Sequence, residues 1–209
     1  MSRIASRDLR NVVKTVASLP QTYTRKPVIV INDASFDVVA RSVIILLLII
    51  TVADEQKAVE TVLHVWYSAF LRPADLERVQ SLRPLIEDVC SKIAGRNPES
   101  LRAKTFKIGS CSIRVVLKKE HWTSLLEFLD VPDGLTTSRA RSIRLAVIQA
   151  PDRLDFHERD LTLQQPEHRI CKGRFREDGI LLPFGQTREN HTIPNPYVTR
   201  LTANDKRYS

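Results

Sequence analysis

The chain has 209 residues, 43% of them hydrophobic, so it is long enough to bury a core as one domain. Its three cysteines, Cys90, Cys111 and Cys171, are an odd number with no Cys-x-x-Cys pair, which argues against a disulfide framework and a structural zinc site. The net charge of +8 lies mainly in residues 101–209, where 19 Lys and Arg face 13 Asp and Glu, a difference of +6. Because these charges are mixed and only 6% of residues are aromatic, the composition argues against nucleic acid as the partner.

The first half of the chain, residues 1–100, predicts helices around one short strand. Apolar residues at helical spacing predict a helix over Asp8–Leu19, which Pro20 ends. The apolar run Val28–Ile31 predicts a buried strand. Further helices are expected to begin at Ser35, Asp54 and Pro73, with a break at Pro84 and an end near Gly95.

The polar pair Asn32-Asp33 follows the predicted strand directly. In open parallel α/β sheets, ligands bind beyond the carboxyl ends of the strands, so these side chains could accept hydrogen bonds from a nucleoside or an amino group. The same residue types also form turns and cap helices anywhere in a protein. Both interpretations stay open at the level of the sequence.

The most apolar stretch of the chain runs from Val43 to Ile50 and is extended by Thr51, Val52 and Ala53. A membrane span needs roughly 20 mostly apolar residues, and this run is about half that length. We therefore predict a helix buried in a core, and no membrane contact. The N-terminal residues carry charges where a signal peptide would be apolar, so we expect a protein of the cytoplasm or the nucleus.

The second half predicts one short strand and several helices. The strand is expected at Ile113–Leu117, and a helix follows it with Trp122 and Leu125 on its inner side. A basic helix is predicted over Thr136–Ala150, with further helical tendency before Gly179. From Gln186 onward the chain is polar and is interpreted as loop. We divide the chain into residues 1–100, residues 101–185 packed on them as the same domain, and a polar tail of residues 186–209.

Catalytic and metal-binding motifs are absent from the sequence. The five histidines have neither the HExxH pattern nor paired ligand spacing, and six glycines provide no phosphate-binding loop.

Four blocks of the sequence together carry a family resemblance: DLRNVVKTVASLP, VIVINDASFDVVARSVIILLLI, VLHVWYSAF and RFREDGILLPFG. They resemble a domain of unknown function common in fungi, where it often accompanies a MYND-type zinc finger. A related domain forms the N-terminal part of the axonemal dynein preassembly factor. The resemblance extends from about Asp8 to about Pro196.

The resemblance implies a Rossmann-like, methyltransferase-like fold for the first half of the chain. On this view Asp8, Arg10 and Asn11 would open a helix after a strand, and Asn32 and Asp33 would face a crevice for S-adenosylmethionine. The sequence departs from the family where Arg7 replaces a glycine, and only Met1–Ser6 precede the motif, so the family's first strand is expected to be missing. The cysteines cannot build a MYND finger.

The expected fold class is therefore α/β and helix-rich, with an incomplete Rossmann-like sheet and a basic, mostly helical second half. The expected function is that of a non-catalytic interaction or scaffold module without a cofactor, whose partner is another protein or another chain that completes the sheet. The first alternative is a methyltransferase-like protein that binds S-adenosylmethionine. The second is a basic protein associated with nucleic acid.

The block RFREDGILLPFG predicts a helix end followed by a docked segment. Gly179 suits a left-handed residue at a helix end, and the apolar residues after it are expected to pack on the main domain. The charged residues before it can form a structural ion-pair network, or they can bind an acidic partner or a phosphate. These candidate partner-binding residues are Arg174, Arg176, Glu177 and Asp178.

Overall fold

The computed structural model describes residues 2–5, 9–25, 27–109, 111–149, 163–183 and 185–203. Its helices are α1 (Arg10–Ala17), α2 (Phe36–Thr51), α3 (Glu55–Tyr67), α4 (Pro73–Gln80), α5 (Arg83–Lys92), α6 (Lys119–Glu127), α7 (Thr137–Ile148), α8 (Pro166–Asp178) and α9 (Pro196–Ala203). Its strands are β1 (Ser2–Ala5), β2 (Ile29–Asn32), β3 (Phe70–Leu71), β4 (Leu101–Ile108), β5 (Cys111–Lys118) and β6 (Ile193–Pro194). The fold is therefore mixed α/β and rich in helix, as the sequence predicts.

The described strands form three separate two-stranded sheets. β1 pairs with β2 in parallel, whereas β3 pairs with β6 and β4 with β5 in antiparallel fashion. The expectation that the first strand is missing was wrong, because Ser2–Ala5 lies beside Ile29–Asn32 and α1 connects the two strands. A four-residue strand with only two apolar residues is too short to produce a recognisable alternation in the sequence.

Helix α2 forms the centre of the core, and this prediction is confirmed. Ile44, Ile45, Leu47 and Leu48 have no solvent exposure, whereas Ile49 is 45% exposed. One cluster of buried apolar side chains runs from Leu9 through α2 to Tyr197 and so draws on both halves of the chain. Among the described helices, none is both long and apolar enough to cross a membrane.

The hairpin β4–β5 is longer than the sequence indicates. The expected strand Ile113–Leu117 is present within β5, but its partner β4 was not predicted. β4 escapes pattern analysis because Lys104 lies on the same face of the strand as buried Phe106, where an apolar residue would be expected. Lys104 is accommodated there by an ion pair with Asp88 of α5, with Nζ and Oδ2 separated by 3.0 Å.

Residues 193–203 contain a strand and a helix, so the interpretation of the chain from Gln186 onward as loop was wrong for this part. β6 pairs with β3, and α9 begins at Pro196, which suits the first position of a helix. Asn195, Tyr197 and Thr199 are buried. Their polar groups are satisfied inside the protein: Thr199 Oγ1 donates to the Asn195 carbonyl, and Tyr197 Oη donates to the Phe128 carbonyl. Polar side chains that are buried in this way look like surface residues in a sequence.

Candidate functional site

The strand-end pair Asn32-Asp33 takes part in a local turn. Asp33 Oδ1 accepts a hydrogen bond of 2.9 Å from the Ser35 N–H at the start of α2, and Asn32 is exposed. Ser35 occupies the position before α2, but its side chain forms no capping hydrogen bond. The structure therefore provides the turn that the sequence offered in one of its two interpretations, but no side-chain cap of α2.

The other residues of the expected crevice lie at the start of α1. Arg10 and Asn11 are exposed, and Asp8 lies outside the described residues. Asn11 lines a shallow depression on the surface of α1 together with Lys14 and Thr15, and neither Asn32 nor Asp33 contributes to it.

The charged residues before Gly179 lie at the C-terminal end of α8. Arg174 and Glu177 are exposed, while Arg176 and Asp178 are half-buried. Asp178 accepts a hydrogen bond of 2.8 Å from the Ile180 N–H and forms an ion pair with Arg188, with Nε and Oδ2 separated by 3.1 Å. Asp178 thus has a structural role, whereas Arg174 and Arg176 form no ion pair with described residues.

The end of α8 is held by an arginine from a different helix. Arg144 of α7 donates hydrogen bonds to the carbonyls of Phe175, Arg176 and Glu177, the last two at 2.6 and 3.2 Å. A cation at a helix C-terminus also stabilises the helix dipole. Gly179 follows in the left-handed conformation, at φ 76°, as predicted. A Cβ atom there would lie 2.7 Å from the Ala69 Cβ, so only glycine fits.

The segment after Gly179 is docked on the main domain, as predicted. The Ala69 N–H donates to the Gly179 carbonyl at 2.7 Å, and the Leu181 N–H donates to Ser68 Oγ at 3.0 Å. Ile180 is buried with Ala69, while Leu181 remains 38% exposed. Phe184, which was also expected to dock, lies outside the described residues.

A buried polar layer joins α3, α4 and the C-terminal segment. At its centre is Asp75, which is fully buried and accepts hydrogen bonds from Thr61 Oγ1 at 2.8 Å and from Arg72 Nε at 2.8 Å. Burial alone would raise the pKa of Asp75, but the hydrogen bonds from Arg72 and Thr61 lower it, so the carboxylate stays charged. Arg78 Nη1 completes the group by donating to Thr61 Oγ1 at 3.0 Å.

The same layer contains a serine–histidine pair, which raises the question of nucleophilic chemistry. His64 Nδ1 lies 3.0 Å from Ser68 Oγ. Ser68 Oγ also accepts the Leu181 N–H, and the direction of its hydrogen bond with His64 Nδ1 depends on the tautomer of the imidazole. Burial lowers the pKa of His64 to about 4, against an opposing effect of Asp75. Ser68 has no solvent exposure, so no substrate reaches it, and we interpret the pair as structural.

His191 packs against His64 with ring centroids 4.7 Å apart. It is 8% exposed, and neither of its ring nitrogens has a hydrogen-bond partner in the described part of the protein. Burial, followed by the charge of Arg72, lowers the pKa of His191. The neutral ring is part of the lining of the cleft described next.

An open cleft of about 520 Å³ lies between α7, the end of α8 and the segment 188–192. We call it the arginine cleft because it is lined by Arg141, Arg144 and Arg188. Its apolar lining is formed by Phe70, Leu145 and Ile180, and its acidic lining by Glu177, Asp178 and Glu189. Of the candidate partner-binding residues, the structure thus brings Glu177 and Asp178 to this cleft and leaves Arg174 and Arg176 outside its lining.

The three arginines of the cleft were not predicted as a site from the sequence. Arg141 and Arg144 are three residues apart in the predicted basic helix, so they share a helix face, and this spacing was a usable signal. Arg188 lies in the segment that was interpreted as loop. Within the described ranges, no group of His, Cys, Asp and Glu side chains could hold a metal ion.

Comparisons with known proteins find one similarity. A family profile described as "Domain of unknown function (DUF4470)" matches residues 2–71, which is about a third of the chain and extends from β1 to β3. Three of the four sequence blocks quoted above lie within this range, and RFREDGILLPFG lies outside it. No curated protein matches the chain, and no solved structure matches it.

Proposed function

We propose that the protein is a non-catalytic interaction module of the cytoplasm or nucleus that holds a short segment of a partner protein in the arginine cleft. The observation that carries this proposal is the composition of the cleft, in which apolar side chains lie beside the exposed Arg141. Its volume of about 520 Å³ falls in the range of ordinary ligand sites.

The charges of the cleft define the segment that would fit. Arg144 is occupied by the carbonyls of α8, and Arg188 by Asp178 and the Ile180 carbonyl. Arg141 forms no ion pair with a described residue, and its guanidinium lies 5.9 Å from the centre of the Phe70 ring. Because exposed Glu177 and Glu189 repel a dense polyanion, the cleft favours a segment with one carboxylate and an adjacent apolar side chain.

Three further features favour binding over catalysis. The Ser68–His64 pair is buried, and Asp33 is used in a turn. The sequence blocks resemble a family associated with MYND fingers and with dynein preassembly, and both associations concern protein assembly.

A display library of random dodecapeptides tests the proposal. Peptides selected on the wild-type protein are expected to contain an acidic residue next to an apolar one, and to lose most of their affinity for Arg141→Glu. Arg139→Glu is the matched control, because Arg139 is exposed on the same helix and does not line the cleft. Selected peptides that bind Arg141→Glu as tightly as the wild type would refute the cleft as the binding site.

The proposal includes no cofactor. In isothermal titration with S-adenosylmethionine we expect no micromolar binding. Micromolar affinity that disappears in Asp33→Ala would instead support the methyltransferase-like alternative.

A further inference from the structure

The charged residues of the hairpin β4–β5 are all basic. Residues 101–118 contain five basic and no acidic residues. We call this hairpin the basic ribbon. Its charged residues are Arg102, Lys104, Lys107, Arg114 and Lys118.

Two of these five cations are exposed and free of ion pairs with described residues. Lys104 is paired with Asp88, and Lys118 with Glu99, at 3.0 and 2.5 Å. Arg102 lies on the inner face, where its Nε atom is buried. Lys107 and Arg114 remain, and both are exposed.

Lys107 and Arg114 lie on the outer face of the ribbon. The register places Lys107 opposite Ser112 and Arg114 opposite Thr105, so the two cations are diagonal neighbours. The same face carries Leu101, 66% exposed, and Val116, 49% exposed. A surface that combines two cations with two large apolar side chains suits a protein segment that carries both kinds of residue.

The ribbon consists of two strands only, and within the described part of the protein no third strand pairs with either of them. One backbone group of β4, the Arg102 carbonyl, accepts a hydrogen bond of 3.1 Å from Trp122 Nε1 of α6. Every second residue of an antiparallel strand directs its N–H and C=O groups away from its partner strand. Such an edge accepts an extended segment of another chain through backbone hydrogen bonds.

We propose that the basic ribbon binds an extended, acidic segment of a partner protein as a third strand. The side chains at alternate positions of that segment lie on the outer face, where carboxylates face Lys107 or Arg114 and apolar side chains farther along the same face contact Leu101 or Val116. This surface is separate from the arginine cleft, and the inference does not depend on the function proposed for the cleft.

A nucleic acid is the less suitable partner for this surface. Lys107 and Arg114 could neutralise two phosphates of a duplex. The logarithm of the affinity would then fall with the logarithm of the salt concentration with a slope of only about −1.8, so the electrostatic contribution to binding DNA would be weak. No aromatic side chain is present on the outer face to stack on bases.

The probe for the experiment is a fluorescein-labelled dodecapeptide of alternating Glu and Thr, followed by fluorescence anisotropy with the full chain. We expect saturable binding, about tenfold weaker in the double variant Lys107→Glu/Arg114→Glu, because two attractions become repulsions. The matched control is Lys14→Glu/Arg139→Glu, which makes the same change in net charge at two exposed residues of other elements. A dodecapeptide of alternating Lys and Thr is expected not to bind.

Backbone pairing is tested separately from charge. When the peptide is bound, hydrogen exchange measured by NMR should be slower for the backbone amides at alternate residues of β4 or β5. Two peptides N-methylated at the odd or at the even positions should differ, since only one set of amides faces the ribbon.

The inference is wrong if the acidic peptide fails to bind the wild-type protein, or if the ribbon variant binds it as well as the control variant. Equal binding of both N-methylated peptides would refute strand addition. Tighter binding of a 20-base-pair DNA duplex than of the peptide would assign the surface to nucleic acid. Matching melting temperatures of the two double variants would show that both are folded.

Discussion

The substitution Asn195→Ala provides a direct test of how the C-terminal segment is held. Asn195 is fully buried, and its Nδ2 group donates to the carbonyls of His64, Val65 and Ser68 at 3.1, 3.1 and 2.7 Å. Its Oδ1 atom accepts the Tyr197 N–H at 2.9 Å. Alanine removes all of these interactions and leaves buried carbonyls without their donor.

The magnitude follows from the number of bonds that the side chain can make at one time. An amide NH₂ has two hydrogens, so two donated bonds and one accepted bond are lost, at about 1 kcal/mol each. We therefore expect the free energy of unfolding to fall by about 3 kcal/mol, and the melting temperature by roughly 6–12 °C for a chain of this size.

Urea denaturation followed by circular dichroism measures this change. The midpoint should shift while the slope stays constant, since the surface exposed on unfolding is unchanged. Asn97→Ala is the matched control, because Asn97 is exposed and its side chain accepts only the Glu99 N–H. If Asn195→Ala lowers stability by less than about 0.5 kcal/mol, as a surface substitution would, the segment is not held in the way described.

Three further predictions concern stability. Leu47→Asp should lower the free energy of unfolding by several kcal/mol because it buries an unpaired charge, whereas Ile49→Asp should lower it much less because Ile49 is partly exposed. Equal melting temperatures of the two variants would contradict the position of α2 in the core. In urea denaturation, Gly179→Ala should lower the free energy of unfolding more than Gly185→Ala. Both glycines have positive φ, but only a Cβ atom at residue 179 would meet neighbouring atoms. Because the pKa of His64 is lowered to about 4 in the folded protein, the unfolded state binds a proton at this histidine at a higher pH than the folded state does. The free energy of unfolding should therefore be at its full value above pH 6.5 and fall by at most about 3 kcal/mol as the pH decreases toward 4. The decrease should be smaller in His64→Gln.

The parts of the fold that could be predicted from the sequence follow from local signals. Apolar runs and capping residues identify helices directly, and Asp54 does accept the Lys57 N–H at the start of α3, as expected. Gly179 was predictable for the same reason, since a left-handed helix end restricts the choice of residue within a few positions.

The parts that could not be predicted depend on partners distant in the sequence. Lys104 on the inner face of β4 is acceptable only because Asp88 lies beside it, and Arg144 caps a helix that begins more than twenty residues later. The arginine cleft has the same origin, because Arg188 joins Arg141 and Arg144 only after the C-terminal segment has docked. Periodicity within a window of a dozen residues contains none of this information.

The attachment of Asn195 to α3 also has a consequence for the order of events during synthesis. The carbonyls at the end of α3 receive their donor from a residue about 130 positions later, which the ribosome adds only some 7–26 s afterwards at 5–20 residues per second. During that interval Ser68 and Ala69 lack the bonding partners that residues 179–195 provide. The nascent N-terminal part therefore exposes an incomplete surface that residues 179–195 later cover, and a ribosome that stalls before Asn195 would leave this surface open to chaperones.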